Sequence, residues 1–446
     1  MKKHVLCLAV LVLFGASSAL ASIITNPNQS ALYFRLLSRN ASTDLDAVYY
    51  NLAGLTKLAD GFHFGVHNQT IFQTKTVINE FPFLNSDTYE GKVNVPVFPT
   101  AFAVYKSGPL ALSFGFGPNS GGGSAKFDHG LPSFEIPFSL LPAIVSGLGV
   151  PTTAYSLNMS FECTSIFWGF QGNASFAFGD IGSAAVGVRA ILAQNTYKGY
   201  IRNVMINPVY PPLGLVGAMI PAATFFTAAG QPAYAALVAD KELDVKQVGS
   251  GFTPILSLNL TPLEKMNFSL KYEFSTKLEL ENQTTKDDTG LYPDGAKERS
   301  DIPALLSLGL QYELMPQFRA HLSFNYYFDK NANWDGRQDF VDANTYDLGL
   351  GLEFDLLSSV SLSAGILRTQ FSLSEAYQSD FSHEIPCTSL GFGARLRMIP
   401  KLDVDLGFLY IIYGTADKTY TGITGPYTET YKRTTIGFAI GFGYHL

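Results

Sequence analysis

Apolar residues recur at every second position, in run after run, through most of this 446-residue chain. The clearest run ends it: Ile436, Phe438, Ile440, Phe442, Tyr444 and Leu446 alternate with Thr435, Gly437, Ala439, Gly441, Gly443 and His445. Leu306, Leu308, Leu310, Tyr312 and Leu314 alternate with Ser307, Gly309, Gln311 and Glu313, and Leu348, Leu350, Leu352 and Phe354 with Asp347, Gly349, Gly351 and Glu353. Successive side chains of a strand point to opposite faces, so the pattern describes extended chain lying between two different solvents. A soluble sandwich also alternates, with its apolar faces inward, but two features argue against one here. The runs reach about ten residues or more, the length a tilted strand needs to cross a bilayer. The connections also alternate in length. Short turns fall at 107–109, 179–182, 261–263, 315–317, 357–359 and 399–401, and long connections at 79–96, 119–160, 204–241, 281–300, 330–345, 373–386 and 415–430.

Tight turns at one end and long loops at the other are the asymmetry of an outer-membrane barrel. Counting the runs predicts about 14 strands, near 62–77, 97–107, 109–118, 161–178, 183–201, 242–260, 265–280, 302–314, 317–329, 346–356, 359–372, 387–398, 401–414 and 433–446. An open edge in lipid would leave backbone groups unpaired, so the sheet must close. The expected fold class is therefore all-β, a transmembrane antiparallel β-barrel. Composition agrees. Charged residues make up only 15%, against roughly 25% in soluble domains, while 35 Phe, 23 Tyr and 41 Gly suit a wall facing lipid. Residues 204–239 carry no charge, but Pro208, Pro211, Pro212, Pro221 and Pro232 exclude a straight spanning helix there. The net charge of −7 gives no footing for nucleic acid.

The N-terminus supplies an address. Lys2 and Lys3 precede an apolar stretch from Val5 to Phe14, and Ala19-Leu20-Ala21 reads as a cleavage site. Residues 1–21 are thus expected to be a signal peptide, with the mature chain starting near Ser22. Export permits a disulfide, but Cys163 and Cys387 are isolated and far apart, and are expected to be free. Residues 22–58 do not alternate; they are expected to fill the lumen as a plug, leaving 59–446 as the barrel.

Just before the first strand stands Asp46-Ala47-Val48-Tyr49-Tyr50-Asn51-Leu52-Ala53-Gly54-Leu55. This segment resembles the Asn-Pro-Ala-Gly-Leu signature that ends the N-terminal hatch of the FadL/TodX family of outer-membrane transporters of hydrophobic compounds. The family's proline is Leu52 here. Asp301-Ile302-Pro303 leading into a Leu-Gly-Leu-Gln-Tyr strand, and Thr345-Tyr346-Asp347-Leu348-Gly349-Leu350-Gly351, extend the resemblance along the mature chain. It implies a monomeric barrel holding a hatch, and passive, cofactor-free uptake of long-chain fatty acids or aromatic hydrocarbons. It also implies that ligand lands on apolar outer loops, binds in the lumen and leaves sideways through a gap at a kink in the third strand. The hatch motif would pack near that kink.

Candidate site residues follow. The hatch motif comprises Asn51, Leu52, Ala53 and Gly54. The third strand meets Gly115, Gly117 and Pro118, which signal either a kink lining a lateral gap or the ordinary end of a strand. In the uncharged loop, Leu213, Met219, Phe225 and Phe226 would capture an apolar ligand, or would pack with Leu140, Ile144 and Leu148 as a lid. Parity points Arg189, Arg319, Arg395 and Arg397 into the lumen with Glu313, Glu353, Asp355, Asp403 and Asp405. Arg189 could meet a ligand carboxylate, and mutual ion pairing is the plainer reading for all four arginines. No Gly-x-Ser-x-Gly elbow is present. His63 and His67 stand roughly 13 Å apart along one strand face, too far to share a metal. The chain is therefore not expected to be an enzyme or to hold a metal. Its expected partners are a hydrophobic small molecule and outer-membrane lipid. The alternatives are a surface adhesin or receptor barrel and a polar-solute porin.

Overall fold

The computed structural model describes residues 25–446; the expected signal peptide and the first residues after it lie outside them. Fourteen long strands form the wall: β1 (Gly61–Asn79), β2 (Thr88–Ser107), β3 (Leu110–Phe127), β4 (Tyr155–Ala177), β5 (Gly182–Ile206), β6 (Lys241–Leu263), β7 (Met266–Glu273, resuming as Glu279–Asp287), β8 (Leu305–Met315), β9 (Phe318–Tyr327), β10 (Val341–Leu357), β11 (Val360–Leu373), β12 (Cys387–Ile399), β13 (Leu402–Tyr413) and β14 (Gly425–His445). Each pairs antiparallel with its neighbours, and β14 returns to β1 from His63↔His445 to Asn79↔Glu429, closing the barrel. Large apolar side chains stand exposed on the outside, among them Phe64, Leu112, Val186, Leu256, Leu348, Phe392 and Phe438. No described helix is long and apolar enough to cross a membrane. A closed sheet with an apolar outer face pairs most of the strands' backbone, as lipid requires.

The strand count agrees with the sequence, but several boundaries do not. β4 and β5 run 23 and 25 residues, more than a bilayer needs. Their loop-side ends stay paired beyond that length and pack against the apolar loops, so Val204 and Ile206 are buried there. The stretch 415–430 is partly ordered too, with Ala416–Gly422 pairing onto the start of β14. The turn expected at 261–263 lies within β6; the reversal comes just after, at 264–265. The largest correction concerns β3. It does not end at Pro118 but continues to Phe127, because β4 pairs with it throughout.

Residues 25–58 lie inside, and almost all of 29–56 are buried. Helix α1 (Ala31–Leu36) is capped by Ser30, whose Oγ accepts from the Tyr33 N–H, and ends at Leu37 in the left-handed region at φ 54°. Helix α2 (Ala47–Tyr50) follows, and then a 3₁₀ turn over Leu52–Lys57. A plug this close to the wall needs a wall without side chains. The inner-face glycines provide it: a Cβ on Gly349 would lie 2.6 Å from the Leu37 carbonyl oxygen, and one on Gly351 the same distance from that of Leu36. Cβ atoms on Gly365 and Gly391 would strike the Leu36 and Phe34 carbonyls.

Charge holds the plug as well. Arg35, fully buried, donates to Glu353 at 2.6 Å and to Asp405 at 3.1 Å. Arg395 joins Asp405 and the plug's Asp44, both at 2.9 Å, while Arg39 meets Asp44 and Asp46 at 2.7 Å. Removing one member of such a set would strand a buried charge, at about 3–5 kcal/mol.

Above the lumen, Pro132–Ser139, Leu141–Gly147, Ala222–Ala228 and Pro232–Leu237 form short helices in the long loops. Asp329, in the turn after β9, is buried and accepts from the Thr345 N–H at 2.9 Å. Burial pushes its carboxyl up to about 7. A raised folded-state value means stability present in full below the ordinary carboxylate range and lost as the pH climbs through 7. Local hydrogen exchange of residues 329–345 should accelerate between pH 5 and 8 beyond the intrinsic rate, and Asp329→Asn should abolish that excess. An unchanged profile in the variant would assign the opening elsewhere.

Candidate functional site

The β2–β3 ladder stops partway along the wall and leaves a seam; the β6–β7 ladder also pauses, between Ile255↔Glu273 and Val248↔Glu281. Gly91–Val93 face Phe127–Ala125, and pairing resumes only at Ala101↔Phe116. Residues 94–100 and 117–124 therefore run side by side without pairing across the seam. β3 stays attached to β4 here, with register breaks between Pro118 and Ser120 and between Gly121 and Gly123. The local cause is chemical. Pro118 has no N–H to donate, and Gly121 and Gly122 adopt φ of 66° and 124°, a region that side chains disfavour. These register breaks lie just beyond Gly115, Gly117 and Pro118, in a strand that continues to Phe127.

Side chains and the plug fill the seam from within. Phe98 lies over Gly122, Val95 over Gly123, and Thr100 over Gly117. The Asn26 N–H donates to the Asn119 carbonyl at 2.7 Å, and Asn26 Nδ2 to the carbonyls of Gly121 (2.7 Å) and Pro118 (3.2 Å). Gln29 Nε2 also donates to the Pro118 carbonyl, at 2.8 Å. Behind the seam is a narrow pocket bounded by Val48, Tyr49, Phe116, Asn119, Gln171 and Arg189.

Arg189 lines that pocket with its donors engaged. Nη1 and Nη2 reach Glu273 at 2.6 and 3.1 Å, and Nε reaches Gln171 Oε1 at 2.8 Å. Its guanidinium lies 4.6 Å from the Tyr49 ring centroid, and Lys271 completes the cluster at 2.6 Å from Glu273. Arg319 pairs with Glu353 and Asp355, Arg395 with Asp405, and Arg397 lies 3.7 Å from Asp403. The geometry thus brings the lumen arginines to carboxylates.

The hatch motif sits against β4–β6. Asn51 caps its 3₁₀ turn, and its Nδ2 donates to the Ser42 carbonyl (2.9 Å) and to Asn259 Oδ1 (2.7 Å). Ser175 donates to the Leu52 carbonyl and Ser183 to that of Ala53. Leu52 and Ala53 pack on Ala185 and Ile255. Gly54 leaves room for the Ser42 carbonyl and the Asn51 amide. Wall serines and an asparagine cap thus hold the turn at Leu52. The plug residues that touch the kink are Asn26, Gln29 and Val48 rather than the motif itself.

In the outer loops, Phe225 and Phe226 are buried in a cluster with Phe138, Leu141, Val145, Val204 and Ile206. Leu213, Val216 and Met219 project from it, as does Leu148 on the facing loop. The two apolar loops therefore pack on each other and still present an apolar crest.

No protein-family profile matches the sequence, and no curated protein matches it. Solved structures do. A FadL homologue of Pseudomonas aeruginosa superposes with a TM-score of 0.66 at 12% identity, over 95% of this chain and 100% of that one. The chain shares the fold of the FadL channels. The toluene transporter TodX of Pseudomonas putida gives 0.58 at 14%, over 95% and 100%. The toluene transporter TbuX of Ralstonia pickettii gives 0.56 at 13%, over 90% and 94%. In this chain's version of the FadL fold, sequence reasoning missed Arg35, Asn26, Gln29 and Asn119. Two arginines in a segment expected inside a barrel were the available signal for Arg35 and Arg39: each demands a carboxylate opposite. The three amides carry no such mark.

Proposed function

We propose that this chain is an outer-membrane channel for passive uptake of hydrophobic small molecules, either fatty acids or aromatic hydrocarbons. The observation that carries this reading is a barrel blocked along its axis by a tightly seated plug yet interrupted sideways between β2 and β3. A plugged axis suits neither a polar-solute porin nor free diffusion of water-soluble cargo. A seam in a wall bathed by lipid suits cargo that partitions into lipid. Ligand would be captured on the crest formed by Leu213, Met219 and neighbouring loop residues, descend past the packed Phe225 and Phe226, and leave between β2 and β3 at Gly115, Gly117 and Pro118. The turn at Asn51, Leu52, Ala53 and Gly54 would hold the plug against the wall beside that route.

Cells lacking the protein, complemented with the intact chain, should regain uptake of radiolabelled fatty acid or toluene. Deleting residues 209–219 should lower uptake at limiting ligand by about tenfold while leaving the barrel folded, since the removed crest offers a few exposed apolar side chains. Restored conductance to ions and sugars in planar bilayers, without apolar uptake, would instead make the chain a porin.

A further inference from the structure

We propose that the outer face of strands β4–β7 carries a site for one phospholipid of the periplasmic leaflet, a lipid whose headgroup bears both a phosphate and an ammonium. One acyl chain lies in a groove of the wall, and the headgroup meets the charged turns beneath it. The site is separate from the route of any cargo.

A groove of about 590 Å³ opens on the outer surface. Its floor is Ala174 and Ala184, outward-facing residues of β4 and β5, and Phe176, Val186, Leu256 and Tyr272 rise around them. The cause is local. Phe176 stands opposite Ala184, and Ala174 opposite Val186. Each short side chain faces a long one, the two short ones fall on a diagonal, and the surface sinks along it. The size is that of an ordinary small-molecule site, roughly 300–1,000 Å³, enough for one acyl chain. In a wall bathed by lipid such a trough is filled, because an empty one would cost its lining the contacts on one side. Its upper end meets the place where β6 and β7 part. Leu256 pairs with Tyr272 directly beside Ile255↔Glu273, the last pair before the ladder pauses. A chain seated there covers the lower edge of that pause.

Position and charge identify the occupant. Ala184 lies two residues above Gly182, where β5 begins, so the groove's lower end is about 7 Å from the periplasmic turns at the usual rise of a strand. Lys57 reaches these turns from the plug, its Nζ donating to the Asp180 carbonyl (3.1 Å) and to Thr261 Oγ1 (2.9 Å), with one of three donors left over. Asp180 in the β4–β5 turn, and Glu264 and Lys265 in the β6–β7 turn, are exposed. None of these four side chains has an ion-pair partner among the described residues. Two cations and two carboxylates around one mouth complement a headgroup that carries one charge of each sign. A headgroup with a phosphate alone would meet Lys57 and Lys265 but would also face Asp180 and Glu264.

The test is native mass spectrometry of the purified full-length protein, stripped of lipid and then equilibrated with mixed micelles of dioleoyl phosphatidylethanolamine, dioleoyl phosphatidylglycerol or dioleoylglycerol at equal mole fraction. We expect a one-to-one adduct with phosphatidylethanolamine, retained about tenfold more than dioleoylglycerol and about threefold more than phosphatidylglycerol, the scale of a few exposed ion pairs. Ala184→Phe, which fills the groove from outside, should lose the adduct. Ala364→Phe, the same exchange at an outward position of β11, should keep it. Lys265→Gln should reduce the preference over dioleoylglycerol. Retention of phosphatidylethanolamine no better than that of either other lipid, or an adduct that survives Ala184→Phe, would overturn the site and leave ordinary bulk-lipid contact. A dimer that Ala184→Phe dissolves would give the groove to a second copy of the chain and overturn it equally. The headgroup comparison needs no variant, so a misfolded variant does not rescue the idea.

Discussion

Uptake of apolar ligand should fall at least tenfold when β2 is bonded to β3 across the seam, and should return on reduction. The experiment is set by geometry. A Cβ built on Gly117 lies 3.4 Å from Thr100 Cβ, at the short edge of the spacing a disulfide takes. The pair Thr100→Cys and Gly117→Cys, in a Cys163→Ser and Cys387→Ser background, should therefore oxidise with little movement of the backbone. Both native cysteines are free, so replacing them removes no bond. The new bond crosses the seam at its periplasmic end, one residue beyond the resumed ladder at Ala101↔Phe116. If ligand leaves there, the oxidised protein binds ligand but does not deliver it. Mass spectrometry fixes the extent of bonding, and the same preparation with and without reductant controls for the substitutions themselves. Full uptake by fully bonded protein would end the case for exit between β2 and β3.

Gly365→Val should unseat the plug. A Cβ at this position would run into the Leu36 carbonyl and press on Leu37. Backbone atoms of a helix end cannot turn aside as a flexible side chain can. Overpacking of this kind typically costs about 1–3 kcal/mol, and more where nothing yields. Valine favours strands, so β11 itself should form, and the strain falls on α1 and its ion pairs. The expected signs are a folded, heat-modifiable barrel, protease cleavage within residues 25–58, and ion conductance well above that of the intact protein. Gly172, whose added Cβ meets nothing within 4 Å, is the control: Gly172→Val should leave the pore closed. A closed, protease-resistant Gly365→Val protein would show that the plug is held without the glycine seat.

The two experiments bear on features that the sequence revealed unequally. Strand number, the closed barrel and the lumen plug follow from alternation, turn spacing and the non-alternating first segment, because each is a local consequence of which solvent a face meets. Gly117-Pro118 was legible as a disturbance but not as a kink within a continuing strand. That outcome depends on β4, which pairs with β3 across the break, and pairing partners are not written into local composition. The lumen glycines read as merely small, opposite Ile436, Phe438 or Leu348. Their role as a seat needs the plug's position. The lumen arginines were placed by parity, whereas their engagement by Glu273, Glu353 and Asp405 is a matter of three-dimensional pairing. Asn119 was invisible, since one asparagine among many carries no signal until a register break turns it inward.

The glycine-floored wall also constrains how such a molecule can be assembled and how it can change. Stripped of its plug, the lumen would expose long tracts of bare peptide on β10, β11 and β12 and leave Glu353 and Asp405 short of the Arg35 charge that faces them. Tube and stopper are thus two halves of a single mould. A larger residue gained on one half has to be answered by a smaller one on the other, so residues 34–37 of the plug and the distant strands β10–β12 are expected to vary together.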